Sequence, residues 1–105
     1  MLAKIRLMLE YNTYCIWLYD ENDEIIDNDN PPELADDEEL TNAFMAVSDL
    51  YDSFFLDTAK EYRYIGCPNQ KTREKLKALI EHAVSLLETK NNGKYIIVND
   101  IKYDF

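Results

Sequence analysis

The stretch KIRLMLEYNTYCIWLY, residues 4–19, decides the fold class. In its first half Ile5, Leu7, Leu9 and Tyr11 alternate with Lys4, Arg6, Met8 and Glu10. A period of two puts successive side chains on opposite faces, which describes a strand over residues 4–11 with one buried side. Asn12 and Thr13 interrupt, and residues 14–19 follow without a charge, dominated by aromatic and β-branched side chains. Such a run suits a strand covered on both faces, with Cys15 as a small core hydrophobe and Trp17 in the core. The short gap predicts a hairpin.

Outward from the hairpin, a turn over residues 20–23 leads into Glu24-Ile25-Ile26-Asp27, a short third strand. Pro31 and Pro32 end the meander, because neither has an N–H to give to a ladder. A helix is predicted to begin near Asp36 or Asp37, where acids complement the helix dipole and cap free N–H groups. Leu40, Phe44, Val47, Tyr51 and Phe54 recur at intervals of four and three, the apolar stripe of that helix. Glu38, Asn42, Met45, Asp49 and Asp52 fall on the opposite face. After a break near Asp57, residues 60–65 alternate as a fourth strand, closed by Gly66 and Pro68. A second helix spans residues 70–90, with Leu76, Leu79, Ile80, Ala83, Leu86 and Leu87 as its stripe and Asn91-Asn92-Gly93 as a left-handed stop. Residues 95–101 make a last strand. The order βββαβαβ is an α+β fold: two amphipathic helices against a largely antiparallel sheet, one domain over residues 1–105.

Composition agrees with a packed domain. Of 105 residues 47% are hydrophobic and 30% charged, which excludes a disordered acidic tail. A chain of this size buries roughly two-thirds of its unfolded surface, enough for a core without staples. Two cysteines, Cys15 and Cys67, make no disulfide framework, and no leader or membrane-length apolar run is visible, so a reduced, cytoplasmic setting is expected.

Charge is the informative feature. With 21 acids against 11 bases the net charge is −10. Phosphate binding needs clustered Lys and Arg, so nucleic acid and anionic membrane are excluded as direct ligands and a basic protein partner is favoured. No Lys or Arg stands between Arg6 and Lys60, whereas residues 20–39 hold eleven acids. The plain reading of such a run is a solvated surface that keeps a small protein dispersed. Two details favour docking: no base lies nearby in sequence to offset the repulsion, and the run continues along the outer helix face. The candidate surface comprises Asp20, Glu21, Asp23, Glu24, Asp27, Asp29, Glu33, Asp36, Asp37, Glu38, Asp49 and Asp52. Tyr19, bordering the turn, and Met45, an apolar side chain among acids, are its candidate anchors.

Metal and catalytic chemistry find little footing. An EF-hand frame from Asp20 meets Ile25 where glycine is required, and a frame from Asp27 meets Pro31 at the fifth position. His82 is the only histidine and lies at the edge of the second helix's stripe. Neither cysteine has a histidine nearby in sequence, and Gly66 and Gly93 cannot make a phosphate loop. No cofactor, no metal and no enzymatic activity are expected.

In size, acidity, aromatic content and the acidic surface over residues 20–39, the chain resembles the immunity proteins of bacterial contact-dependent and related polymorphic toxin systems. The resemblance covers the chain as a type and includes no diagnostic motif, so no functional residue is carried over. It implies stoichiometric inhibition of a cognate toxin domain, frequently a basic nuclease, with carboxylates standing in for phosphates. Two alternatives fit the same residues: a phage-encoded acidic DNA mimic that blocks a host protein, and a small metal- or ligand-binding module.

Overall fold

The computed structural model describes residues 2–105. Its elements are β1 (Leu2–Leu7), β2 (Ile16–Asp20), β3 (Ile25–Asp27), a 3-10 turn (Pro32–Leu34), α1 (Glu38–Asp52), β4 (Phe55–Asp57), β5 (Tyr62–Tyr64), α2 (Gln70–Asn91) and β6 (Ile96–Asn99). The α+β class and the two helices stand as the sequence indicates, with one strand more. Four strands form a sheet in the order β3-β2-β1-β6, and β4 with β5 forms a separate hairpin. The β1–β2 and β2–β3 ladders are antiparallel, whereas β6 runs parallel to β1, so the sheet is mixed.

Register follows the alternation. Ile5 sits opposite Leu18 and Leu7 opposite Ile16, and all four are buried. They share one core with Leu40, Phe44 and Val47 of α1 and Leu76, Ile80, Ala83 and Leu87 of α2. Both helices therefore cover the same sheet face. The other face carries Lys4 and Arg6 opposite Tyr19 and Trp17, with exposed Ile96 beside Lys4. Trp17 is accordingly half-buried on the uncovered face and is not part of the core.

The first strand stops four residues before its predicted end. The Met8 N–H still donates to the Cys15 carbonyl at 3.1 Å, but Asn12 turns left-handed at φ 61° and residues 11–13 form a turn. The Tyr14 N–H donates to Oδ1 of Asn28 at 3.0 Å, while Nδ2 of Asn28 donates to the carbonyls of Tyr14 and Ile16. One side-chain amide thus satisfies backbone groups that a longer strand would have paired.

Both helices are capped at their starts. The Asp37 carboxylate accepts from the Leu40 N–H at 2.9 Å, and Asn69 Oδ1 accepts from the Thr72 N–H at 2.8 Å. α2 ends with Asn92 at φ 49° and Gly93 at φ 77°, the left-handed stop read from the sequence.

The missed strand follows α1. The apolar stripe predicted the helix to run on through Phe54, but Ser53 Oγ donates to the Leu50 carbonyl at 2.6 Å and closes the last turn. Phe54 is buried beyond the helix, and its carbonyl accepts from the N–H groups of Ile65 and Gly66. β4 and β5 then pair Phe55 with Tyr64, Leu56 with Arg63 and Asp57 with Tyr62.

Candidate functional site

The eleven acids of residues 20–39 are not equally free to meet a partner. Part of the run is drawn into the fold by lysines that lie far away in sequence. Lys90, in the last turn of α2, pairs with Asp37 at 2.8 Å and Glu39 at 3.0 Å, and Lys94 pairs with Glu33 at 2.7 Å. Lys4 of β1 pairs with Asp23. The Lys94 ammonium, followed by the Tyr95 hydroxyl donating at 2.7 Å, holds the Glu33 carboxyl down at about 2. Lys90 lowers Asp37 in the same way, ahead of the capped Leu40 N–H, and Lys4 lowers Asp23. The lack of bases nearby in sequence is therefore partly compensated by folding, which brings Lys90 of α2 and Lys94 alongside.

Other acids of the run act as turn formers. Asp20 accepts from the N–H groups of Asn22 and Glu24, Asp27 from that of Asn28, and Asp29 from that of Asn30. Glu21 is exposed and held below the ordinary carboxylate range by a backbone hydrogen bond. The loop is locked onto α1 by Asn30, which is buried: it accepts from the Tyr14 hydroxyl at 2.6 Å and donates to Thr41 Oγ1 at 2.9 Å and the Leu34 carbonyl at 3.2 Å.

The outer face of α1 is different. Glu38, Asn42, Met45 and Asp49 are all exposed, and helical spacing places them in one stripe. Neither Glu38 nor Asp49 is in an ion pair among the described residues. Asp52 extends the stripe and accepts from the Asn12 N–H at 3.0 Å. At its other end Asp36, Glu38 and Asn42 line a shallow groove with Ala35 and Thr41. Met45 is 43% exposed, as a side chain able to anchor a partner must be. Tyr19 is corrected: it is only 6% exposed, with Lys4 Nζ 5.2 Å and the Arg6 guanidinium 5.5 Å from its ring centre, so it is no free anchor. Glu24 is exposed in the β2–β3 turn and does not lie on α1.

Cys15 is buried with Sγ 3.5 Å from Ser48 Oγ, and burial pushes its thiol up to about 11. The Cys67 thiol donates to the Asn69 carbonyl, and His82 is exposed on α2. Among the described residues no three His, Cys, Asp or Glu side chains are grouped to hold a metal ion, and no helix is long and apolar enough to cross a membrane.

Sequence reasoning missed one surface, the aromatic side of the β4–β5 hairpin. Its signal was present: Tyr62 and Tyr64 alternate with Arg63, and Phe55 follows the end of the helical period. No family model matches the chain, and no curated protein matches it.

Proposed function

We propose that the chain is an immunity-type inhibitor that acts by occupancy in the cytoplasm, docking the outer face of α1 on a basic protein, a cognate toxin domain. The observation that supports this reading is the stripe of exposed Glu38, Met45 and Asp49, in which neither acid is in an ion pair among the described residues. Carboxylates held on a rigid helix meet Lys and Arg without reorganising, and their field raises the encounter rate. Met45 supplies the adaptable apolar contact that a purely charged patch lacks.

The test is capture, by the full chain and by a Glu38→Gln, Met45→Ala, Asp49→Asn variant, of a toxin domain encoded next to this chain's gene; a neighbourhood without such a gene counts against the reading. The wild type should hold a basic protein in stoichiometric complex, with an on-rate that falls steeply between tens and hundreds of millimolar salt as screening shortens to about 8–10 Å. The variant should associate more slowly and release sooner. An on-rate indifferent to salt, or a complex unaffected by all three substitutions, would exclude α1 as the docking face.

A further inference from the structure

A second surface stands beside the acidic stripe, and it is aromatic. Pairing of Phe55 with Tyr64 and of Asp57 with Tyr62 puts these four side chains on one side of the hairpin, with Leu56 and Arg63 on the other. Tyr11, from the turn beyond β1, packs 4.7 Å from Phe55 and 5.3 Å from Tyr62, and its hydroxyl donates to Asp57 at 2.9 Å. Phe55 and Tyr62 lie nearly parallel, 14° apart, and Tyr51 at the end of α1 meets Phe55 edge-on at 5.3 Å. The outer rings pack on Phe55 yet stay open to solvent: Tyr62 is 59% and Tyr64 47% exposed.

The charges around these rings have one predominant sign. Asp57 stands among them, and the charges of Asp52 and Asp104 reach Tyr51, Asp104 reaching Tyr64 as well. Arg63 is turned away and paired with Glu61 at 2.9 Å; Arg73 of α2 reaches Tyr64 electrostatically. Past Tyr51 the surface dips into an open groove of about 290 Å³, walled by Met8 and Leu9 with Glu10 and Asp104, Lys102 and the Arg6-paired Asp100 also lining it. Exposed π faces beside carboxylates suit a cation that is flat and weakly hydrated. Guanidinium fits this better than ammonium, since it stacks on a ring while its edge donates to a carboxylate.

We propose that the β4–β5 face is the anchor for an arginine side chain of the basic partner, stacked on Tyr62 and Tyr64 and bonded at its edge by Asp57. This rests on the reading of the chain as a binder of a basic protein and adds the residue that is gripped. Asp52 joins the two surfaces, since it closes the α1 stripe and holds the Asn12 N–H beside Tyr11.

Hexa-arginine and hexalysine, titrated into the isotopically labelled full chain at 150 mM salt, test the anchor. Hexa-arginine should shift the backbone resonances of Tyr11 and residues 55–64 and bind about two- to fivefold more tightly than hexalysine. Tyr62→Leu with Tyr64→Leu should abolish that preference, and the folded control Tyr62→Phe with Tyr64→Phe should keep it. Equal affinity for the two peptides, or no binding of either, overturns the anchor. Shifts confined to α1 also overturn it while leaving the acidic face as the docking site. Shifts confined to the hairpin uphold the anchor and remove α1 from the interface.

Discussion

Two acidic regions adjoin in this molecule and are used in opposite ways. In the loop over residues 20–37, most carboxylates are tied to lysines of α2 and the turn after it, to Lys4, or to backbone N–H groups of their own turns, with Glu24 and Asp36 the exceptions among the described residues. On α1, Glu38 and Asp49 point outward with no such partners among the described residues. Charge density along a sequence therefore does not measure charge available to a partner. A carboxylate bonded to a lysine at the end of a packed helix is part of the scaffold, whatever its neighbours in sequence suggest.

The contrast breaks most visibly at Asn30. Asn30→Ala should destabilise the chain by about 2–3 kcal/mol, because the Tyr14 hydroxyl and Thr41 Oγ1 lose the Asn30 amide in a largely enclosed site, while the Leu34 carbonyl keeps only the Asp37 N–H. Asn42→Ala, on exposed α1, should leave the denaturant midpoint nearly unchanged. Next in size is Lys90→Met, which removes the cation from Asp37 and Glu39 and should lower Tm by about 2–6 °C. Half-molar salt should shrink that difference, as differential scanning calorimetry at two ionic strengths will show.

Acid titration sharpens the same division. Glu33 and Asp37 are depressed by Lys94 and Lys90 respectively, so their contribution is complete above the ordinary carboxylate range. It is lost as pH falls from about 4.5 toward about 2, where Glu33 itself takes up a proton. Lys94→Met should flatten the fall in stability across that window. A slope identical to wild type would detach the loop acids from the scaffold. The smallest effect belongs to Glu38→Gln with Asp49→Asn: Tm should stay within about 2 °C of wild type, since relief of repulsion from the other acids offsets the loss of Glu38's favourable place at the start of the α1 dipole. A large loss of Tm would show that these acids hold the fold after all.

What could be read from the sequence was what local pattern governs. Alternation at residues 4–7, the stripe of Leu40, Phe44 and Val47, the Asp37 cap and the Asn92-Gly93 stop all depend on neighbours a few residues away. Met45 was placed outward by helical spacing alone. The errors arose where distant residues decide. Tyr51 and Phe54 keep helical spacing, so only the Ser53 hydroxyl and the pairing with residues 62–64 reveal that the chain has already turned into a strand. Tyr19 lost its role because Lys4 and Arg6, on the paired strand, lie over its ring. Pairing of Lys90 with Asp37 is invisible until α2 packs against α1.

One feature of the sheet bears on how the molecule comes into being. β1 lies between β2 and β6, and its partner on one side is the last strand of the chain. During synthesis the first hairpin can zip early, yet one side of β1 has only water for its amides and carbonyls until residues 96–99 emerge. A ribosome stalled before that point would hold a nascent chain with β1 as an open edge, a position that β6 takes over once it pairs.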